Sequence, residues 1–227
     1  MAETFMQQRI GAYIGRLFRD SFGRGPRSAY VSLGNEFVII HLVDFLSPVE
    51  EILLEEGQER SVIKMRDTLM RRLSPDIKGS IGEITGEDIE ELYYDWSLVN
   101  RSGLIVAVAK TREAFGRVRD LFKVNDELLT QFLDVSVLTQ REPKALSAYQ
   151  IDPGTLIIVR EGILLPVEKE IINLGDASYL KHVKRGLELR HLQNRTQFET
   201  LYGRNVTGTF VDWDFHLDKC LTVFKLK

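Results

Sequence analysis

The chain has 227 residues, 30 Lys and Arg against 33 Asp and Glu, four His and one Cys, for a net charge of −3. An apolar fraction of 44% with 28% charged residues excludes a disordered chain, and a lone Cys excludes a disulfide framework or a Cys-rich zinc site. The near-balanced charge gives no electrostatic reason to expect nucleic acid or anionic lipid as the main partner, and a chain of this size buries roughly 70–75% of its extended surface, enough to fold without a metal.

The first predicted element is a helix. Ile10, Tyr13, Ile14, Leu17 and Phe18 recur at spacings of 3, 1, 3 and 1, the stripe of an amphipathic helix. Glu3, Arg9 and Arg16 interrupt any signal-peptide core. A turn-rich link, Gly23-Arg-Gly-Pro26, leads into two strands at about 28–33 and 37–43, joined at Gly34-Asn35. Ser47-Pro48 predicts an N-cap followed by Pro at the first helical position. Gly57 interrupts that helix, and Val62, Met65, Leu69 and Leu73 carry the next one; Ser74-Pro75 is read as a restart and Gly86 as the C-terminal stop. Leu92, Tyr94, Trp96 and Leu98 alternate as in a strand with one buried face. The run Leu104 to Ala109 is the longest clean apolar stretch, far short of the roughly 20 residues of a membrane span. The chain is therefore expected to be cytoplasmic, which deprives the triplets Asn100-Arg-Ser102, Asn194-Arg-Thr196 and Asn205-Val-Thr207 of meaning as glycosylation sites.

The order then repeats. Residues 24–110 align on 141–227 at a shift of 117, with one slip of a single residue that is later recovered. Pro26 lies over Pro143, Leu46-Ser-Pro-Val-Glu50 over Leu164-Leu-Pro-Val-Glu168, Gly86 over Gly203, and Asp95-Trp96 over Asp212-Trp213. The two tryptophans of the chain superimpose, each preceded by Asp. In the second half a helix is predicted through Phe115, Val118, Phe122, Leu129 and Phe132, then strands at about 145–151 and 155–160 around Asp152-Pro-Gly154. A less regular helix follows with Val183 and Leu187, then a closing strand over Val211 to Asp218. The expected fold is α+β, two tandem α-β-β-α-β-β repeats at 1–110 and 111–227. Each repeat is an antiparallel four-stranded sheet with helices on one face, and the two pack as a pseudo-twofold dimer of the kind a duplicated homodimer leaves.

Chemistry is sparse. There is no phosphate loop, dinucleotide fingerprint, nucleophile elbow or His-Glu-x-x-His, so no catalytic set and no cofactor are assigned. The weak metal candidate is Asp212, Asp214 and His216, with Asp218, alternating on one strand face. Neighbours on such a face lie nearly 7 Å apart at roughly 3.3–3.4 Å per residue, so a solvated sheet face is favoured. His182 and His191 point to opposite sides of a helix, and His41 reads as a hydrogen-bonded core or edge residue. Cys220 reads as a small buried residue without a partnering His. Glu50, Glu51, Glu55 and Glu56 crowd a helix start, where the helix dipole is sufficient reason. Glu50 recurs as Glu168 after the same Pro-Val and reads as a strand-to-helix tie. Lys64, Arg66, Arg71, Arg72 and the stretch Lys181 to Arg190 read as solvated helix faces, with too few interleaved aromatics for nucleic acid. The corner Arg24-Gly25-Pro26-Arg27 is the one basic spot in an exposed loop, where forked guanidinium groups suit an anion or carboxylate.

Gly23-Arg-Gly-Pro26, a hairpin, Leu46-Ser-Pro-Val-Glu50, Gly57, a helix with Arg66, Thr85-Gly86 and Asp95 together resemble the MpsC-like family, named for a bacterial membrane-potential-generating system linked to sodium movement and uptake of inorganic carbon. The resemblance extends to the second half with departures: Gln140-Arg-Glu-Pro143 replaces the first corner, Leu165 stands in place of Ser47, and Lys184 beside Arg185 in place of Arg66. It implies a non-catalytic cytoplasmic accessory or regulatory protein, compatible with a peripheral place at the inner face of a membrane. Its partners would be membrane-transport subunits, with partner or anion contact at Arg24, Arg27, Glu50 and Arg66. The alternatives are a sensor binding a small anionic ligand between the repeats, an uncharacterised enzyme, and a nucleic-acid-binding protein.

Overall fold

The computed structural model describes residues 2–121, 126–193 and 204–227. The chain divides into two compact units, Met1–Arg117 and Val118–Lys227. Each is an antiparallel four-stranded sheet with helices on one face.

In the first unit, α1 (Ala2–Phe22) buries Ile10, Ile14 and Phe18, one side chain per turn. The corner at 23–27 turns the chain into β1 (Ser28–Gly34), which pairs with β2 (Phe37–Val43) around Asn35, a residue at φ 49°. Two helices follow, α2 (Pro48–Glu55) and α3 (Glu59–Thr85), then β3 (Ile89–Ser97) and β4 (Ser102–Ala109). The strand order is β1-β2-β4-β3. α1 lies along β1 and against α3, and α3 lies against β3. The apolar run that was too short for a membrane span is the inner strand β4, buried along its length. Trp96 and Leu98 enter the helix-side core, with Leu92 and Tyr94 packed against it, as their alternation required. Gly86 ends α3 in the left-handed conformation, its N–H donating to the Gly82 carbonyl. Residues 111–117 fold back on this unit: Phe115 N donates to the Asn35 carbonyl and Asn35 N to that of Gly116.

The second unit repeats the design. Its elements are α4 (Asp126–Thr139), β5 (Ala145–Asp152), β6 (Thr155–Glu161), α5 (Pro166–Asn173), α6 (Ala177–Gln193), β7 (Val206–Asp214) and β8 (Lys219–Leu226), with strand order β5-β6-β8-β7.

Three local expectations are corrected. Ser74-Pro75 does not restart a helix: α3 runs through it, the Ser74 hydroxyl donating to the Met70 carbonyl, because Ile77 and Ile81 beyond it are fully buried. Packing of that apolar face outweighs the backbone bond that Pro removes. The second unit's first helix starts at Asp126. Phe115 and Val118 lie in irregular chain, and Phe122, like Gly203, falls outside the described residues. The last predicted strand stops at Asp214, and 215–218 form a turn with Asp218 at φ 50°. Leu217 is consequently 52% exposed rather than part of the sheet's buried face.

Candidate functional site

The tightest polar cluster of the first unit grows from the start of α2. Ser47 caps the helix: its backbone N–H donates to Glu50 Oε2 at 2.7 Å and its hydroxyl accepts from Glu50 N at 3.4 Å, a capping box. From α3, Arg66 donates through Nε to Glu50 Oε1 (2.7 Å) and through Nη2 to Glu50 Oε2 and the Phe45 carbonyl (both 2.9 Å). Its Cζ lies 4.7 Å from the ring centres of both Phe45 and Trp96. Both charged residues are at 0% exposure. Burial by itself would raise the Glu50 carboxyl. The bonds and charge of Arg66, with those of Ser47, reverse this and hold it below the ordinary carboxylate value.

Glu50 and Arg66, expected where a partner or anion binds, are therefore closed to solvent and bonded to each other. An outside carboxylate would have to displace Glu50. What the pair does is tie α2 to α3 and to the end of β2. The recurrence of Glu50 as Glu168 has the same meaning. Lys184 Nζ on α6 donates to Glu168 Oε1 at 2.6 Å and stands 5.8 Å from the ring of Trp213. Lys replaces the fork with a single donor.

The basic corner stays at the surface. Arg24 reaches Asp44 at 3.6 Å with both side chains about one-third exposed. Arg27 has an exposed side chain, and its backbone N–H fixes the corner to the Val43 carbonyl at 2.9 Å. Arg101, in the turn between β3 and β4, bonds Glu51 at 2.6 Å, tethering that turn to the first turn of α2.

The weak metal candidate comes apart. Asp212 is buried, accepts from its neighbour Trp213 N and pairs with Lys181. Asp214 uses Oδ1 to accept from the N–H groups of His216 and Leu217, capping the turn, and His216 is exposed in that turn. Among the described residues no group of three or more His, Cys, Asp and Glu side chains is placed to hold a metal ion. The stretch Lys181 to Arg190 also turns partly inward, with Lys181 on Asp212 and Lys184 on Glu168.

One cluster escaped sequence reasoning. Arg160 on β6 is 2% exposed; its Nη2 donates to Glu188 Oε2 (2.5 Å), Thr222 Oγ1 (3.1 Å) and Cys220 Sγ (3.1 Å), and its Nη1 to Ser136 Oγ (3.4 Å). Gln140 and Thr139 complete the surroundings of Glu188. Burial raises the Cys220 thiol to about 12 despite the Arg160 charge beside it, so it is an inert thiol at neutral pH. The available signal was a charge directly after the apolar run Leu156–Val159 and still within β6, where the first half has Leu42.

Residues 3–111 match the family model described as Na+-translocating membrane potential-generating system (MpsC). No curated protein and no solved structure matches the chain significantly. The match ends at the close of the first sheet, and the second unit repeats that sheet's strand order. The motifs that suggested the family, from the Arg24 corner through the capped α2 to the Arg66 clamp, all lie in the matched segment and hold its sheet and helices together. It is residues 3–111, within the first unit, that the match therefore places in the MpsC family.

Proposed function

We propose that this protein is a non-catalytic cytoplasmic accessory or regulatory component of a membrane system for cation or inorganic-carbon handling, working at the inner face of the membrane. The match of residues 3–111 to the MpsC family carries this reading. It is supported by two features of the chain. Among the described residues no helix is long and apolar enough to cross a membrane. The charged groups with the strongest geometry, Glu50 with Arg66 and Arg160 with Glu188, are buried and bonded to each other, which leaves them closed to a substrate.

Affinity capture of the tagged protein from the membrane and soluble fractions of its host, with the captured proteins identified by mass spectrometry, tests the proposal. The expected result is recovery of a cation- or carbon-handling membrane subunit, reduced for Arg24→Ala. Absence of any membrane subunit from both fractions overturns it.

A further inference from the structure

The outer face of α2 has no role in the first unit's own core. The Glu50–Arg66 pair fixes the inner face, so the opposite face is held toward solvent in one orientation. Val49 and Ile52, three residues apart and neighbours on a helix surface, are 63% and 60% exposed. Val99 is 93% exposed in the turn that Arg101 ties to this helix through Glu51. Beyond the apolar side chains the helix ends in Glu55 and Glu56, followed by Glu59, all exposed, with Arg60 as the one exposed base in that stretch.

The second unit keeps the fold but changes two of these three side chains. Its equivalents of Val49, Ile52 and Val99 are Val167, Glu170 and His216. Two of three apolar positions are polar there, although the sheet, the helix and the buried tie beneath them are retained. The second unit exposes apolar side chains of its own, Val167 and Leu174 among them, but at the places of Ile52 and Val99 it carries Glu170 and His216.

We propose that the outer face of α2 with Val99 is a docking surface for a basic amphipathic helix of a protein partner. Its apolar side would cover Val49, Ile52 and Val99, and its Lys or Arg side chains would meet Glu55, Glu56 and Glu59. Charge complementarity selects this occupant: the carboxylates would repel an anionic membrane surface or an acidic peptide. The proposal deepens the functional reading, since a segment of the membrane system is the partner it has in view.

The test uses the full chain and a fluorescent amphipathic Leu–Lys peptide of about 18 residues, long enough to form a helix, followed by anisotropy. A Leu–Glu peptide of equal length and vesicles containing anionic lipid serve as comparisons. Val49→Ser with Ile52→Ser leaves the charge unchanged and is expected to weaken Leu–Lys binding roughly tenfold or more, the loss of two central apolar anchors. Glu55→Lys, Glu56→Lys and Glu59→Lys together are expected to reverse the preference between the peptides. Val167→Ser is expected to leave binding within about twofold, because Glu170 and His216 stand where Ile52 and Val99 would complete the patch. Because these side chains are exposed, unchanged circular dichroism and melting temperature show that the variants fold. Equal Leu–Lys binding by the Val49/Ile52 variant would reduce the effect to general acidity and overturn the proposal. So would vesicle binding that this variant loses, or no peptide binding at all. The assay contains no host membrane, so its failure and a failed capture are separate results.

Discussion

In the first unit Leu42, Met70 and Ile105 meet in one continuous helix-side core, each at 0% exposure. In the second unit the same three places hold Arg160, Glu188 and Thr222, as buried as their counterparts. The equivalence follows from register. Leu42 pairs with Gly103 and Arg160 with Cys220, which are the partners of Trp96 and Trp213, and Met70 and Glu188 each lie four residues after the clamp residue Arg66 or Lys184. Among the described residues the second unit's helix-side apolar groups accordingly fall into separate clusters, around Phe132 and around Trp213. One backbone design thus accepts an oily centre or a charged one. The condition is that polar groups enter as a set, so that Arg160 finds Glu188, Ser136 and Thr222 already in place.

That condition predicts the largest effects. Arg160→Leu or Glu188→Met alone strands a buried charge and is expected to lower stability by about 3–5 kcal/mol. Arg160→Leu, Glu188→Met and Thr222→Ile together import the first unit's solution. They are expected to be neutral, or stabilising by up to about 4 kcal/mol. Urea unfolding of the three proteins decides it. A triple variant as unstable as the singles would mean that the second unit cannot close an apolar centre, and that the likeness of the units stops at the backbone. The buried ion pair of the first unit obeys the same rule: Arg66→Met should cost about 3–5 kcal/mol by stranding Glu50.

A smaller effect is expected where the two units differ by one side chain. Gly103 lies across the strand from Trp96, and a Cβ built there falls 2.4 and 2.5 Å from two carbons of the indole ring. The second unit carries Cys220 at that place, facing Trp213. The two tryptophans therefore sit differently over their sheets. Gly103→Cys forces the Trp96 ring to move and is expected to cost about 1–3 kcal/mol, as overpacking does. Trp96 near-ultraviolet circular dichroism should change with it. A silent substitution would show that the ring positions are interchangeable.

The same contrasts explain what could be read from the sequence. Hairpins and sheet-forming runs were legible because their information is local: alternation in Leu92 to Leu98, and turn residues at Asn35 and Asp152-Pro-Gly154. The helix cap at Ser47 was legible for the same reason, and Glu50 carried a trace of its role because the duplication repeated it. Its partner Arg66 is 16 residues away on another helix, and the two were grouped as surface contacts, since nothing in spacing reveals a pair that tertiary packing closes. Arg160 and Glu188, 28 residues apart, were missed on the same ground. Pro75 and the turn after Asp214 misled in opposite ways. Buried Ile77 and Ile81 carried a helix past a breaker, while the Asp214 side chain broke an alternating pattern that looked like a strand.

The finest difference between the units is silent at neutral pH. Cys220 ionises near 9.0 when exposed and at about 12 in the folded protein, because burial penalises the thiolate. Between those values the folded state keeps a proton that the unfolded chain has released. Stability from this group is therefore complete below pH 9 and is lost as the pH rises toward 12. The first unit has Gly103 at that position and contributes no such slope. Lys225, whose ammonium burial pushes below its usual 10.5, works in the opposite direction, so the unmodified protein shows a mixture of the two. Comparing it with Cys220→Ala isolates the thiol. The variant should differ by a constant amount from pH 7 to about 9, and above that the parent should lose stability relative to it. At pH 8 a disulfide-exchange reagent should leave the native thiol unreacted and label it only after unfolding. Rapid native labelling, or parallel stability curves through pH 10.5, would place Cys220 in contact with solvent and remove the buried Arg160 cluster as the feature that separates the second unit from the first.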